Sequence, residues 1–140
     1  MQGLVSFIGV AHPWMCDSNG HVNARHYLAM FDDASFRVLD EVARPQSAGM
    51  GWADARCEID YLSEVRAGTV LEIVSNVERV GRTSLVLLHT LRAPGGSEAL
   101  ARARIVTVRF DLSERRPVAL APEEREHAQR LAQDPQDPGG

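Results

Sequence analysis

One stretch of this chain carries a helical period, and nothing after it does until the last twenty residues. From Ala24 the large apolar residues fall at Tyr27, Phe31, Ala34, Val38 and Val42, with Leu28, Met30 and Leu39 beside them. Three- and four-residue spacing of this kind makes an amphipathic helix with a wide apolar stripe. Arg25, Asp32, Asp33, Arg37, Asp40, Glu41 and Arg44 fill the opposite face, where adjacent Asp32 and Asp33 read as a solvated pair, and Pro45 ends the segment. At about 1.5 Å per residue the helix is roughly 30 Å long. A chain with one such helix and otherwise extended segments has to lay it on a sheet.

The extended segments follow from a change of period to two. Leu4 to Val10 is a short apolar run stopping before His12-Pro13. After the loop Gln46 to Gly51, the residues Ala53, Ala55, Cys57, Ile59 and Tyr61 alternate with Asp54, Arg56, Glu58 and Asp60. Ala67-Gly68 marks a turn, Gly81-Arg82 joins the runs Thr69 to Val80 and Thr83 to Arg92, and Pro94-Gly95-Gly96-Ser97 leads into Glu98 to Leu112. The expected order is strand, long helix, then four strands in consecutive hairpins, an α+β architecture with an antiparallel sheet of about five strands. Pro122-Glu123-Glu124 starts a short helix, with proline early and acids at the positive end of the dipole. One domain is expected over residues 1–133, closing on a helix at about 122–133, followed by a flexible tail at 134–140.

Composition excludes several functions. Of the 140 residues, 44% are hydrophobic and 24% charged, which suits a globular domain able to bury a core. No apolar run approaches the roughly 20 residues of a membrane span, and no signal-like segment opens the chain, so a cytoplasmic protein without membrane association is expected. All fifteen basic residues are arginine, which excludes Schiff-base and P-loop lysine chemistry. The net charge of −4 argues against nucleic acid as a partner. Cys16 and Cys57 are too few for a disulfide framework or a zinc site, and no metal is expected.

Polar chemistry is concentrated just before the long helix, where Asp17, Asn19, Gly20, His21 and Asn23 fall within seven positions. Asn19 and Asn23 are residues that cap helices or bond local amides, and Gly20 opens backbone conformations closed to other residues. The first amides of the helix, near Val22 to Arg25, lack intrahelical partners and can receive a developing oxyanion. A carboxylate beside such a pocket is the minimum for attack on an acyl carbonyl. A thiol leaving group, with a pKa near ~8.5, departs with little acid assistance, so an aspartate alone can serve as nucleophile or as general base on water. The plainer alternatives remain: Asp17 as a turn carboxylate, His21 as an orienting residue, Asn23 as a helix cap, and Tyr27 as core with its hydroxyl near the site.

With these residues laid out, the chain resembles the hotdog-fold acyl-CoA thioesterases, in their 4-hydroxybenzoyl-CoA thioesterase-like branch. The motif is Asp17-Ser18-Asn19-Gly20-His21-Val22-Asn23, followed by Tyr27 and Phe31-Asp32-Asp33-Ala34. Tyr61-Leu62-Ser63-Glu64 with Ala67-Gly68, and Val80-Gly81-Arg82-Thr83-Ser84, support it. The resemblance implies a sheet wrapped around one long central helix, and a homodimer or dimer of dimers built on a continuous sheet, with active sites between subunits. It implies Asp17 as catalytic carboxylate, the Ala24 amide as oxyanion donor, and Asn19, His21, Asn23 and Tyr27 around them. It also implies coenzyme A contacts at Arg82 and Ser84, with Arg79 and Arg109 as further candidates. The substrate would be an acyl-CoA, with no cofactor beyond the coenzyme A it carries. The alternatives are a non-catalytic acyl-CoA-binding module and a thioesterase acting on acyl-ACP. Trp14, Met15, Met50 and Trp52 are candidates for the walls of an acyl pocket.

Overall fold

The computed structural model describes residues 3–43 and 48–132. The expected helix stop at Pro45 and the expected tail at 134–140 lie outside the described residues. The elements run β1 (Leu4–Val10), a single 3-10 turn (Pro13–Met15), α1 (Ala24–Val42), β2 (Met50–Tyr61), β3 (Val70–Val80), β4 (Ser84–Arg92), β5 (Ala101–Asp111), β6 (Arg116–Pro117) and α2 (Pro122–Ala132).

The sheet has six strands, one more than expected, because the two-residue β6 adds to β5. Its order is β1-β3-β4-β5-β2, antiparallel throughout. The β3–β4 and β4–β5 hairpins fall at the expected turns, but β2 and β3 form no hairpin. Instead β2 crosses to the far edge and pairs with β5, Met50 opposite Asp111 and Tyr61 opposite Ala101. The Ala67-Gly68 turn serves β1 instead: the Gly68 amide donates to the Ala11 carbonyl at 2.7 Å.

α1 lies against the sheet with the face its spacing dictates. Tyr27, Phe31, Ala34, Val38 and Val42 are all buried, and Phe31 and Val42 are wholly inaccessible. Toward the start of α1 the core is made with Leu71, Ile73, Leu91 and Ile105, and toward its end with Val77, Leu85, Leu87 and Leu120. Strand alternation sends these residues to one side of the sheet, so a one-residue slip in any strand would expose them. α2 closes the second end of the core, its Ala128 fully buried and the His127 Nδ1 3.0 Å from the Val42 carbonyl that ends α1.

Two ends of the sheet can be told apart. Val10, Tyr61, Val70, Arg92 and Ala101 lie at the end where α1 begins; Met50, Val80, Ser84 and Asp111 lie at the end where α2 sits. β2 is an edge strand, exposed from Asp54 through Glu58, with one ladder of backbone groups unpaired among the described residues.

Candidate active site

The segment between the 3-10 turn and α1 folds back on itself. Cys16 and Val22 form an isolated antiparallel bridge, the Gly20 amide donates to the Asp17 carbonyl at 3.0 Å, and the Asp17 amide donates to the His21 carbonyl at 3.1 Å. Gly20 sits at φ +86°, a conformation that side chains on Cβ disfavour. The loop is fastened to the body of the protein by the Val22 amide on the Val65 carbonyl at 2.8 Å.

Within this loop the Asp17 carboxylate accepts the Asn19 amide on Oδ1 at 2.8 Å and the Asn23 side-chain amide on Oδ2 at 3.1 Å. The Asn19 amide, more than any other group, holds its pKa below the ordinary carboxylate value; the Asn23 amide adds to this, nearby His21 helps, and partial burial opposes. A carboxylate has about four acceptor positions, so these two bonds leave lone pairs free. The turn-forming and chemical readings of Asp17 are therefore compatible.

Asn23 is the N-cap of α1, and its Oδ1 accepts the Arg25 amide at 3.1 Å. The His26 amide donates to the Asn23 carbonyl at 3.0 Å. Those two bonds take the second and third amides of the helix, and the Ala24 amide is left without a partner among the described residues. Ala24 lines the same cleft as Asp17.

The cleft, of about 410 Å³, is walled by Asp17, His21, Asn23, Ala24 and Tyr27 on one side and by Tyr61, Leu62, Ser63 and Glu64 on the other. Tyr27 is 4% exposed and meets Tyr61 edge-to-face at 5.0 Å; burial, ahead of Tyr61 and Cys16, raises its phenol pKa. His21 Nε2 lies 3.8 Å from Glu64 Oε1. The second wall is held by the Leu62 and Ser63 amides on the Leu100 carbonyl, at 3.0 and 3.1 Å. Its residues match the family motif yet show no reactive grouping by themselves, and only the fold of β2 brings them opposite Asp17.

Of the expected site residues, Asp17, His21, Asn23, Ala24 and Tyr27 meet at this cleft, while Asn19 takes part through its backbone amide. Arg79, Arg82 and Ser84 belong to the β3–β4 hairpin at the opposite end of the sheet, and one protomer does not bring them to Asp17. Arg109 cannot reach a ligand's phosphate: it is 1% exposed and ion-paired to Glu124 at 2.6 Å. Trp14, 71% exposed, stacks on His12 and meets His26 edge-on outside the cleft, and Met15 is core. Trp52 lines a different cavity, between α1 and β2, where Asp32, read as solvated, also faces inward.

An α+β domain with a long helix on an antiparallel sheet, and a carboxylate beside that helix's unpaired first amide, is the hotdog arrangement. The chain belongs to the thioesterase-like superfamily, whose family model matches residues 11–128. It is similar to a betainyl-CoA thioesterase of Pseudomonas aeruginosa strain PAO1, 26% identical over 104 residues; the match covers 71% of this chain and 65% of that protein's length. Among solved structures it is similar to the PA5185 protein of Pseudomonas aeruginosa PAO1, at 28% identity and a TM-score of 0.83, over 97% of this chain and 96% of that one. It also shares its fold with the SAV2348 protein of Staphylococcus aureus, solved in complex with CoA, at 15% identity and a TM-score of 0.86, over 98% and 89% of the two chains. No helix among the described residues is long and apolar enough to cross a membrane.

Proposed function

We propose that the chain hydrolyses the thioester of an acyl-CoA, releasing a free acid and coenzyme A, with Asp17 as nucleophile or general base. The observation that carries this reading is the pairing of an ionised, half-buried Asp17 with the unpartnered Ala24 amide on one cleft. With the thioester oxygen on Ala24 N–H, charge developing on that oxygen is met by a donor at the positive end of the helix dipole. As general base, Asp17 takes a proton from water, the hydroxide adds to the carbonyl carbon, and collapse of the adduct expels the thiolate, which recovers the proton. As nucleophile, Asp17 displaces the thiolate to give a mixed anhydride, which water then cleaves. Neither course uses a cofactor.

Thiol release from a panel of acyl-CoAs tests the activity, with betainyl-CoA included because a relative is named for it. Saturable binding without release under any acyl group would make the chain a binding module, and release from acyl-ACP alone would change the carrier. A single turnover in oxygen-18 water separates the two courses, since only the anhydride route labels the Asp17 carboxylate.

The acid limb of the pH profile follows from the bonds to Asp17. Lowering its pKa keeps it ionised as pH falls, so kcat/KM is expected to decline only below the ordinary carboxylate pKa of about 3.9. In Asn23→Ala one of the two amides is lost, the pKa rises, and the limb moves up in pH. The same substitution removes the cap of α1 and lowers stability by about 1 kcal/mol. A limb that stays in place would show that another group controls it.

A second copy of the chain completes the site in this reading. Leu28 and Phe36, eight residues apart on α1, are 50% and 69% exposed, and Tyr61 and Leu62 are 52% and 50% exposed near the unpaired edge of β2. Antiparallel pairing of two β2 edges would cover this apolar margin. Because such pairing reverses strand direction, it brings one protomer's β3–β4 hairpin, with Arg79, Arg82 and Ser84, to the end of the sheet that holds the other's Asp17. Mixing Asp17→Asn with Arg79→Ala/Arg82→Ala protomers should then restore activity above the sum of the two homodimers. No gain on mixing would place each site within one protomer.

A further inference from the structure

The cavity between α1 and β2 has no part in the chemistry above. It encloses about 450 Å³ and is lined by Asp32, Ser35, Phe36, Leu39, Trp52 and Asp54, with Gly51 at its wall. Asp32 and Asp54 have no ion-pair partner among the described residues. Burial first, then the charges of Asp54 and Asp33, raise the Asp32 pKa, as expected for carboxylates crowded without a counter-ion.

A buried hydrogen-bond chain fixes the third polar group. Ser6 Oγ donates to the Ile73 carbonyl at 3.2 Å and lies 2.6 Å from Ser75 Oγ; Ser75 Oγ lies 2.6 Å from His89 Nδ1; and His89 Nε2 lies 2.9 Å from Ser35 Oγ. Burial lowers the His89 pKa to about 4, so the ring is neutral and carries one N–H. Each hydroxyl has one hydrogen. With Ser6 committed to Ile73, Ser75 donates to Ser6, His89 Nδ1–H donates to Ser75, and Ser35 donates to the bare Nε2. Only this direction makes all four bonds at once. Ser35, 4% exposed, therefore turns its proton away from the cavity, and its acceptor side has no partner among the described residues.

From these groups we infer that the cavity binds a cationic headgroup, a quaternary ammonium above all, on the acyl chain of the substrate. Three acceptors, two of them charged, face a space walled by Phe36, Trp52 and Leu39, and aromatic walls favour a poorly hydrated organic cation. No group of three His, Cys, Asp or Glu among the described residues is arranged for a metal ion, which leaves an organic cation as the complement. The inference rests on the thioesterase reading and its dimer: antiparallel pairing of β2 edges sets the cavity of one protomer beside the Asp17 cleft of the other.

The test compares acyl-CoAs matched in shape and different in charge: betainyl-CoA against tert-butylacetyl-CoA, and γ-butyrobetainyl-CoA against its analogue with carbon in place of nitrogen. The charged member should have the higher kcat/KM by about tenfold in at least one pair, and the ratio should fall toward one in Asp32→Asn/Asp54→Asn. A ratio of one or less in both pairs, or one that the double substitution leaves unchanged, overturns the inference. A second measurement is independent of turnover. Tetramethylammonium, titrated into the whole chain, should shift the indole N–H resonance of Trp52, assigned with Trp52→Phe, while tert-butanol should not. No shift from the cation overturns the inference even where hydrolysis is intact. A shift without hydrolysis of any acyl-CoA keeps the cavity's ligand and removes the thioesterase reading.

Discussion

Asp17→Asn lowers thiol release from every acyl-CoA the chain accepts by at least about a hundredfold, with fold and oligomeric size retained. The substitution keeps the shape and the Oδ1 that accepts the Asn19 amide, so the turn survives. It removes the charge, and it sets an amide against the Asn23 Nδ2 that Oδ2 accepted, a loss on a half-buried loop of about 1 kcal/mol. Far-ultraviolet circular dichroism and size-exclusion chromatography check the fold, and a thiol reagent follows release, with the exposed Cys57 subtracted as background. Retention of more than about a tenth of the wild-type rate would remove Asp17 from the chemistry, because water attack without a base or nucleophile loses at least that much.

How far the sequence carries such a prediction depends on the distance over which its signals act. The helix was legible from Ala24 to Val42 because an apolar stripe repeats within each turn, and Tyr27, Phe31, Ala34, Val38 and Val42 are buried as the spacing requires. Leu28 shares the spacing but is half exposed, since it lies at the margin of the stripe toward β2. The tight turns at Gly81 and Gly95 were legible for the same local reason. The place of β2 was not: its alternation fixes which residues share a face but carries no information on its partner, and the glycine at position 68 reads the same whether it serves β2 or β1. The site divides in the same way. The Asp17 loop stands out as an excess of polar groups before a helix, whereas Tyr61 to Glu64 join it only through the crossover of β2 to the sheet edge. Arg109 shows the limit most clearly, because a basic residue within an alternating strand looks solvent-facing until its partner on a later helix is known.

Arg109→Ala is expected to lower the free energy of unfolding by about 3–5 kcal/mol, a large part of the roughly 5–15 kcal/mol available to a domain of this kind. Its guanidinium donates to Glu124 Oε2 at 2.6 Å and to the Gly51 carbonyl at 3.2 Å, and it lies 4.7 Å above the Trp52 ring. Glu124 is itself 7% exposed, and its Oε1 accepts the Ala121 amide at 2.9 Å, ahead of Pro122 where α2 begins. Removing Arg109 strands that carboxylate in the interior, where an unpaired charge is far more costly than the pair is favourable. The destabilisation should therefore be larger for Arg109→Ala than for Arg109→Leu/Glu124→Leu, which removes both charges and refills the space. Urea unfolding of the wild type, both single substitutions and the pair closes a double-mutant cycle. A loss below about 1 kcal/mol for Arg109→Ala would mean that Glu124 reaches water when unpaired, so that α2 is seated by Ala128 and Leu120 and the ion pair is incidental. A large loss restored by the double substitution would show that the pair fixes where α2 docks. Through Gly51 and Trp52, it would then also hold the wall of the cavity between α1 and β2.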